Sequence, residues 1–380
     1  MRRLAASSAN HLQNPKTKFM RLLFTLLFIT ITSLSLGQAM FKTADSVRRV
    51  RGIPCIGYAV FTTDKIIDIG VAGFRKYRTR DTAVITDRFH IGTNTFAFTS
   101  WIAAKLVANG KIKWTTTYSE LFPQNKGKVR PEFKDIALKD LLSNQAGLPP
   151  YNNVTDFANV PFFPSDVTSQ RRDFAYWLLQ RPGLEANRKN KMVISVVSYA
   201  VAATMMEKAA GMTWEKMLDE YINKPLGIAA KTGWPNKISD HQPWGHWARY
   251  GALSPEPVDT WVKPHPAIIP AFDINITVGD YAKFLQAHLK GLRGQANYLD
   301  TRAFELMHFG IPDYSFGWQN AAIGNDRISF HTGDSHLFVT HVELIPGKDI
   351  GIVVVGNNGE SMGKGGVTNL CRLLREHYMK

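Results

Sequence analysis

Apolar positions form short β-rich runs at the two ends of the chain and wider helical stripes between them. Cys55-Ile-Gly-Tyr-Ala-Val-Phe61 and Lys65-Ile-Ile-Asp-Ile-Gly-Val71 are separated by Thr-Thr-Asp, which predicts an antiparallel hairpin. His336 to Ile345 and Asp349 to Val355, joined through Pro346-Gly347, predict a second hairpin, with a helical pattern from Val367 to Tyr378 behind it. In the interior, Phe98, Ile102, Leu106 and Val107 make one helix face that stops at Asn109-Gly110, and Tyr199 to Ala210 stops at Gly211. Thr277-Val-Gly-Asp280 carries a capping pattern, and the apolar face behind it runs through Tyr281, Phe284, Leu285 and Leu289 to Gly291. Strands at both ends with helices between them predict a sheet built from both termini and an inserted helical lobe. The α/β lobe is expected over about 45–140 and 270–380, and the helical lobe over about 141–269. Residues 233–270 hold Trp234, Trp244, Trp247 and Trp261 with seven prolines and no sustained period. They predict a long ordered loop that either packs on its own domain or roofs a pocket.

With 380 residues, 44% hydrophobic and 20% charged, the chain has enough apolar content for a sizeable core, which excludes disorder, collagen-like repeats and coiled coil. The net charge is +15, but residues 1–37 carry five basic residues and no acid, leaving +10 beyond them. In that segment a basic stretch ends at Arg21, an apolar run follows from Leu22 to Ile31, and small residues close it at Gly37. This reads as a secretory signal peptide over 1–37, with Met20 as a second candidate start. The apolar run is shorter than the roughly 20 residues that span a bilayer, so the mature chain from residue 38 is expected to be exported, periplasmic or secreted, and not membrane-spanning. Gln38, not Cys, follows the expected cleavage point, so no lipid anchor is expected. Cys55 and Cys371 are the only cysteines, which excludes a disulfide framework and a Cys-rich zinc site. Either one bridge joins them or both are buried small hydrophobes.

Several strings stand in a telling order along the chain. Ile53-Pro54 opens the first strand, Phe89-His-Ile-Gly92 enters a helix, and Leu141-Leu-Ser-Asn-Gln-Ala-Gly-Leu-Pro149 follows. Lys224-Pro-Leu-Gly227, Asn275-Ile-Thr-Val-Gly-Asp280 and His331-Thr-Gly333 complete the order. From about Ile53 to its end the chain resembles the serine β-lactamase and penicillin-binding-protein superfamily, nearest the class C β-lactamase and esterase branch. The resemblance implies a two-lobed α/β plus all-α fold. It also implies a Ser nucleophile at a helix N-terminus, a Lys one turn later, a Tyr-x-Asn pair from the helical lobe, and a Lys/His-Thr-Gly strand on the other wall. Two backbone N–H groups, from the nucleophile and from the residue after that Gly, would form the oxyanion hole.

Mapped residue by residue, the nucleophile position is Thr93 and the Lys position is Phe96. The Tyr and Asn positions are Ile194 and Val196, while His331, Thr332 and Gly333 keep the strand motif and Asp334 follows it. Other copies of the missing strings fall outside the required context: Ser361-Met-Gly-Lys364 in a glycine-rich stretch read as a strand-to-helix turn, Tyr151-Asn-Asn153 after a Gly-Leu-Pro turn, and Tyr221-Ile-Asn223 at a helix end. Losing one general base costs about 10²- to 10⁴-fold, or roughly 3 to 5 kcal/mol. The first reading is therefore a non-hydrolytic pocket protein for a small-molecule, peptide, cell-wall-derived or lipophilic ligand, lined by Thr93, Phe96, Ile194, Val196 and the His331-Thr332-Gly333 strand. The second is a repurposed enzyme performing acyl transfer, cyclisation or proton transfer with Thr93, His331 or Asp334. The third is a conventional serine-hydrolase-type esterase or peptidase whose catalytic groups lie elsewhere in the chain. His331 and His336 differ by an odd number, so a turn or bulge is needed to bring both into one cleft. His336 with His341 and His241 with His246 lack a third ligand at metal spacing, and Gly363-Lys364 lacks a phosphate-loop pattern, so neither metal nor other cofactor is expected. Basic runs at Arg48-Arg49-Val50-Arg51, Arg75 to Arg80 and Arg188 to Lys191 come without a nucleic-acid motif. They are either solvated loops or an attraction for anionic envelope polymers.

Overall fold

A computed structural model describes residues 40–380 apart from 165, 185–190, 250, 258–264 and 296–297. The leader over 1–37, Trp261 and most of the third basic run lie outside the described residues. The chain enters through helix α1 (residues 40–50) and forms β1 (Cys55–Phe61), β2 (Ile66–Gly73) and β3 (Arg88–His90). Then come α2 (Thr95–Ala108), α3 (Val167–Leu179) and α4 (Val196–Ala210). Short strands β4 (Lys231–Thr232), β5 (His246–Arg249), β6 (Ala252–Pro255) and β7 (Ile274–Thr277) precede α5 (Val278–Leu292) and α6 (Thr301–Phe309). The chain closes with β8 (Gln319–Ile323), β9 (Asp326–Asp334), β10 (Val339–Ile345), β11 (Ile350–Gly356) and α7 (Ser361–Tyr378).

Strands from both chain ends form one antiparallel sheet in the order β2-β1-β11-β10-β9-β8, with β1 paired to the central β11 from Ile56 opposite Gly356 to Phe61 opposite Gly351. Alternation divides its side chains. Cys55, Ala59, Phe61, Val353 and Val355 join the large core with α2, α4 and α5, whereas Ile56, Tyr58, Val60, Ile352 and Val354 pack under α1 and α7. Cys55 and Cys371 are both free and belong to these two different clusters. The helical lobe is tied internally by Arg171, which is fully buried and bonds Glu207 of α4 and Glu215.

Capping fixes the helices that carry the site. Ser195 caps α4 through Ser198 N–H at 3.2 Å, and Gly211 ends it at φ 67°. Thr277 caps α5 through Asp280 N–H at 3.1 Å. Gly291 does not stop that helix: a Cβ there would lie 2.0 Å from the Phe304 ring, so the glycine admits α6 at close range. The glycine-rich stretch after β11 likewise departs from the expected turn. Ser361 to Gly366 are the opening turns of α7, where a Cβ on Gly363 would meet Asn358 O at 2.0 Å. Among the described residues of 233–270 there is more than a loop: β5 and β6 pair as a hairpin, and Trp244 N–H donates to Arg75 O at 2.9 Å. This segment packs on its own domain around His246. The His246 Nδ1–H donates to Asn357 O at 2.8 Å, and Nε2 accepts from Tyr77 N–H at 3.0 Å.

Only a neutral imidazole satisfies both bonds of His246, and burial pushes its pKa down to about 4. His288 and His308 form a neutral pair, 2.8 Å apart and enclosed by Trp101, Phe304 and Trp318, with His308 bonded to Ser329 Oγ at 2.6 Å. Burial holds His288 down at about 3 and His308 well below its ordinary value. Below a pH of about 6.5 the unfolded chain takes up protons that these folded residues refuse, so stability falls as pH drops from there towards about 4. Each contributes about 1.4 kcal/mol per pH unit in that window. The urea midpoint is expected to fall steeply between pH 7 and 5, before most carboxylates titrate; a flat midpoint would show that these imidazoles fold in charged form.

Candidate functional site

The candidate cleft begins where β3 runs into α2 through the turn Gly92–Asn94. Gly92 takes φ 55°, and a Cβ on it would lie 2.5 Å from the Asp334 carbonyl. A Cβ on Gly333 would lie 2.2 Å from Ile91 O. The end of β9 is therefore seated directly on this turn, backbone against backbone. The turn is braced from behind: Thr95 Oγ1–H donates to Gly92 O at 2.7 Å, and Asn94 Nδ2–H donates to Tyr281 OH at 3.0 Å. His90 accepts from Gly92 N–H at 3.2 Å through Nδ1 and donates from Nε2 to Asp273 at 3.1 Å, which fixes its tautomer.

Thr93 is half-buried at the centre of the turn, while Phe96, one helical turn later, is fully buried. The Phe96 ring stacks on Tyr199 of α4 at 3.8 Å and 6° and lies 5.7 Å from the ring of His331. Tyr199 OH donates to Leu142 O at 2.6 Å, and burial raises its pKa. The helical-lobe wall is set by Asn144, in the left-handed region at φ 56°. Its side chain accepts from Ser195 N–H at 3.1 Å and donates to Tyr314 OH at 2.9 Å. Ser195 Oγ–H donates to Pro149 O at 2.7 Å, so the segment Ile194-Ser195-Val196 is anchored to the Leu141–Pro149 turn. Val196 is buried and Ile194 half-buried.

Alternation along β9 separates the strand motif. His331 faces the helical side, 3% exposed, with Nδ1–H donating to Gly317 O at 2.7 Å. Burial lowers its pKa to about 4, leaving a neutral ring. Thr332 faces α7 and bonds His341 Nδ1 at 2.7 Å; His341 reaches Glu343 at 3.2 Å, and Glu343 is held by Arg375 at 2.6 and 2.8 Å. His341, Glu343 and Cys371 bring ligand-type atoms within 4.8 Å of one another. The Arg375 guanidinium already supplies the positive charge that this carboxylate attracts. Asp334 also turns to the α7 side, where Lys364 Nζ lies 2.5 Å from its carboxylate and His336 N–H donates to it at 2.7 Å. It does not join Thr93 and His331.

His336 is not part of β10, contrary to the hairpin boundary expected from sequence. It sits in the connecting turn at φ 65°, and its ring swings back beside Trp247 and Phe272. There Nε2–H donates to Asn152 O at 3.1 Å, while Asn152 Nδ2–H donates to Ile194 O at 3.1 Å. The first bond ties the sheet lobe to the helical lobe, and the second fixes Asn152 on the Ile194 segment. Asn152 belongs to the Tyr151-Asn-Asn153 string that context set aside, and the left-handed φ of 50° at Tyr151 that presents it has no sequence signal beyond the preceding prolines.

A sheet built from both chain ends, with the Gly92–Asn94 turn and the His-Thr-Gly strand facing a helical lobe, is the β-lactamase/transpeptidase fold. The Beta-lactamase family model matches residues 42–372, and the chain belongs to that family. Penicillin-binding protein 4 of Amycolatopsis lactamdurans is 20% identical over 336 residues, covering 83% of this chain and 84% of that protein. Protein flp of Staphylococcus aureus (strain COL) is 23% identical over 297 residues, 73% of this chain; the match spans 55%, about half, of that relative. Among solved structures, a β-lactamase from Sulfitobacter sp. EE-36 superposes with a TM-score of 0.71 at 19% identity, covering 90% of this chain and 99% of that one. The octameric penicillin-binding protein homologue from Pyrococcus abyssi superposes at 0.70 with 18% identity, covering 89% and 77%. Among the described residues no helix is long and apolar enough to cross a membrane.

The enclosure of Phe96 sets a measurable expectation. Phe96→Ala removes a stacked, fully buried ring and should cost about 3 to 5 kcal/mol in chemical denaturation, whereas Thr93→Ala, at a half-buried turn position, should cost less than about 1 kcal/mol. Equal costs would mean that the Phe96 ring is not packed as described.

Proposed function

We propose that this chain is an exported β-lactamase-family protein that binds a ligand in its cleft and does not carry out the family's serine acylation. The observation that carries this reading is Phe96, fully buried and stacked on Tyr199 at the position where the family's lysine would stand one turn after the nucleophile. Thr93 keeps a hydroxyl, but a hydroxyl becomes a nucleophile only with a base, and a phenyl ring accepts no proton. His331 is a weak substitute, since a ring whose pKa is pushed down to about 4 has little affinity for the proton that Thr93 must lose. The Asp334 carboxylate is neutralised by Lys364, which argues against the acid/base set of a repurposed enzyme.

Phe96 and Val196, both buried, shape the site from beneath and leave direct contact to the half-buried Thr93 and Ile194. An apolar floor under a hydroxyl and backbone amides suits a peptide, a cell-wall-derived fragment or a lipophilic metabolite. Export is supported by the basic and apolar pattern of residues 1–37.

Intact-mass analysis after incubation with a β-lactam, a fluorophosphonate and a panel of activated esters tests the reading, with Thr93→Ala alongside. No adduct and no turnover are expected from folded protein. An adduct or a steady turnover that disappears in Thr93→Ala would overturn the proposal and establish a threonine nucleophile.

A further inference from the structure

Two of the basic runs in the sequence, Arg48–Arg51 and Arg75–Arg80, meet in space. The end of α1 and the loop after β2 enclose a groove of about 350 Å³ lined by Arg48, Arg49, Lys76, Tyr77 and Arg78, with Phe74 at its side. One carboxylate serves two of these cations: Asp45 pairs with Arg48 at 2.7 Å and with Arg49 at 2.6 Å. The nearby acids Asp81 and Asp87 are taken by Arg75, at 2.8 and 2.9 Å. Lys76 and Arg78 have no acidic partner among the described residues.

The cations are also held in place by rings. The Arg48 guanidinium lies 5.7 Å from the Phe74 ring centroid, Arg78 lies 5.3 Å from Tyr77, and Lys76 Nζ sits 3.6 Å over Trp244. A ring over the flat face of a guanidinium leaves its N–H edge to grip an oxyanion; at Arg78 that edge has no acidic partner among the described residues, whereas at Arg48 one N–H group is taken by Asp45. Arg48 Nε is buried and has no hydrogen-bond acceptor. Arg78 occupies the left-handed region at φ 59°, a turn position where glycine costs nothing, so the turn carries strain while presenting a guanidinium.

We propose that this groove binds the phosphate groups of a polyanionic strand, a phosphodiester or phosphoanhydride polymer. Cations on both walls of a concave channel suit a strand laid along it. A membrane surface is the poorer fit, because guanidinium groups lie over Phe74 and Tyr77, whose rings would otherwise enter an acyl layer. The site is independent of acyl chemistry in the cleft.

Fluorescently labelled long-chain inorganic polyphosphate, titrated against the folded protein by anisotropy over a range of sodium chloride concentrations, tests the inference. Binding should weaken with salt along a linear log–log slope. The pair Lys76→Ala with Arg78→Gly should lower the magnitude of that slope by about 1.4 and weaken binding by roughly tenfold or more near 0.1 M salt. Glycine suits the φ of residue 78, so the variant should keep its thermal midpoint, which is measured in parallel. Lys126→Ala with Lys128→Ala removes the same charge from an exposed loop elsewhere and should leave binding within about twofold. No salt-dependent binding, an equal loss from both pairs, or binding to phosphatidylglycerol vesicles without binding to soluble polyphosphate would each overturn the proposal.

Discussion

The structure depends on one contact, the seating of the Gly333–Asp334 backbone on the Ile91–Asn94 turn. It is made of peptide groups, and it exists because neither Gly92 nor Gly333 carries a side chain; a Cβ at either would come within 2.5 Å of opposing backbone. Gly317 repeats the device a layer deeper, at φ 82° with its Cα against the Phe96 backbone. These approaches join the C-terminal strands to the start of α2, and thereby close the sheet lobe on the helices that the chain inserts between its two ends. The side-chain bonds around them, Thr95 to Gly92 and Asn94 to Tyr281, hold a geometry that the glycines permit.

Once β9 is seated there, alternation decides the electrostatics. Odd-numbered His331 turns towards Phe96 and loses its charge to burial, while Thr332 and Asp334 turn towards α7 and are absorbed by His341 and Lys364. A polar motif of four consecutive residues thus contributes one neutral ring to the helical side. His336 reaches the cleft because the chain leaves the strand through a left-handed residue, and its bond to Asn152 fastens the lobes together. On the proposed reading this is a fixed binding cleft, with its walls bonded to one another and with little means of moving a proton.

Much of this was legible in the sequence because the signals were local. Both hairpins, the caps at Thr277 and Gly211 and the stop at Asn109-Gly110 follow from residue types within a few positions of each other. The family resemblance rested on strings whose backbone roles are also local, and it located the turn at Thr93 and the strand at His331. The failures were non-local. Gly363 and Gly366 read as a strand-to-helix turn, yet they lie inside the opening turns of α7, and at Gly366 Ile53 approaches from the far end of the chain. Asp334 was grouped with His331 by proximity along the chain, although the pleat sends neighbouring side chains to opposite faces. The bridge through Asn152 required knowing that Tyr151 would adopt φ 50°, which no residue type in that string demands. The union of the first two basic runs in one groove is likewise a product of β1 and β2 folding back onto α1.

The chemistry of the site follows from the same close packing. A lysine at position 96 would place an ammonium in a fully buried position against the Tyr199 ring, where no carboxylate is paired with it among the described residues. Burying it without a new partner would be costly, since a buried charge is tolerated only when paired and hydrogen-bonded. Phenylalanine instead stacks on Tyr199 and adds about 0.5 to 1.5 kcal/mol beyond the apolar area it buries. Phe96 therefore belongs to the core, with Tyr199 packed against a ring. Restoring the lysine alone would meet a cavity shaped against it. On the proposed reading, a ligand in the cleft would be recognised by groups above this floor, where Thr93, Ile194 and the Asn152–His336 bridge stand.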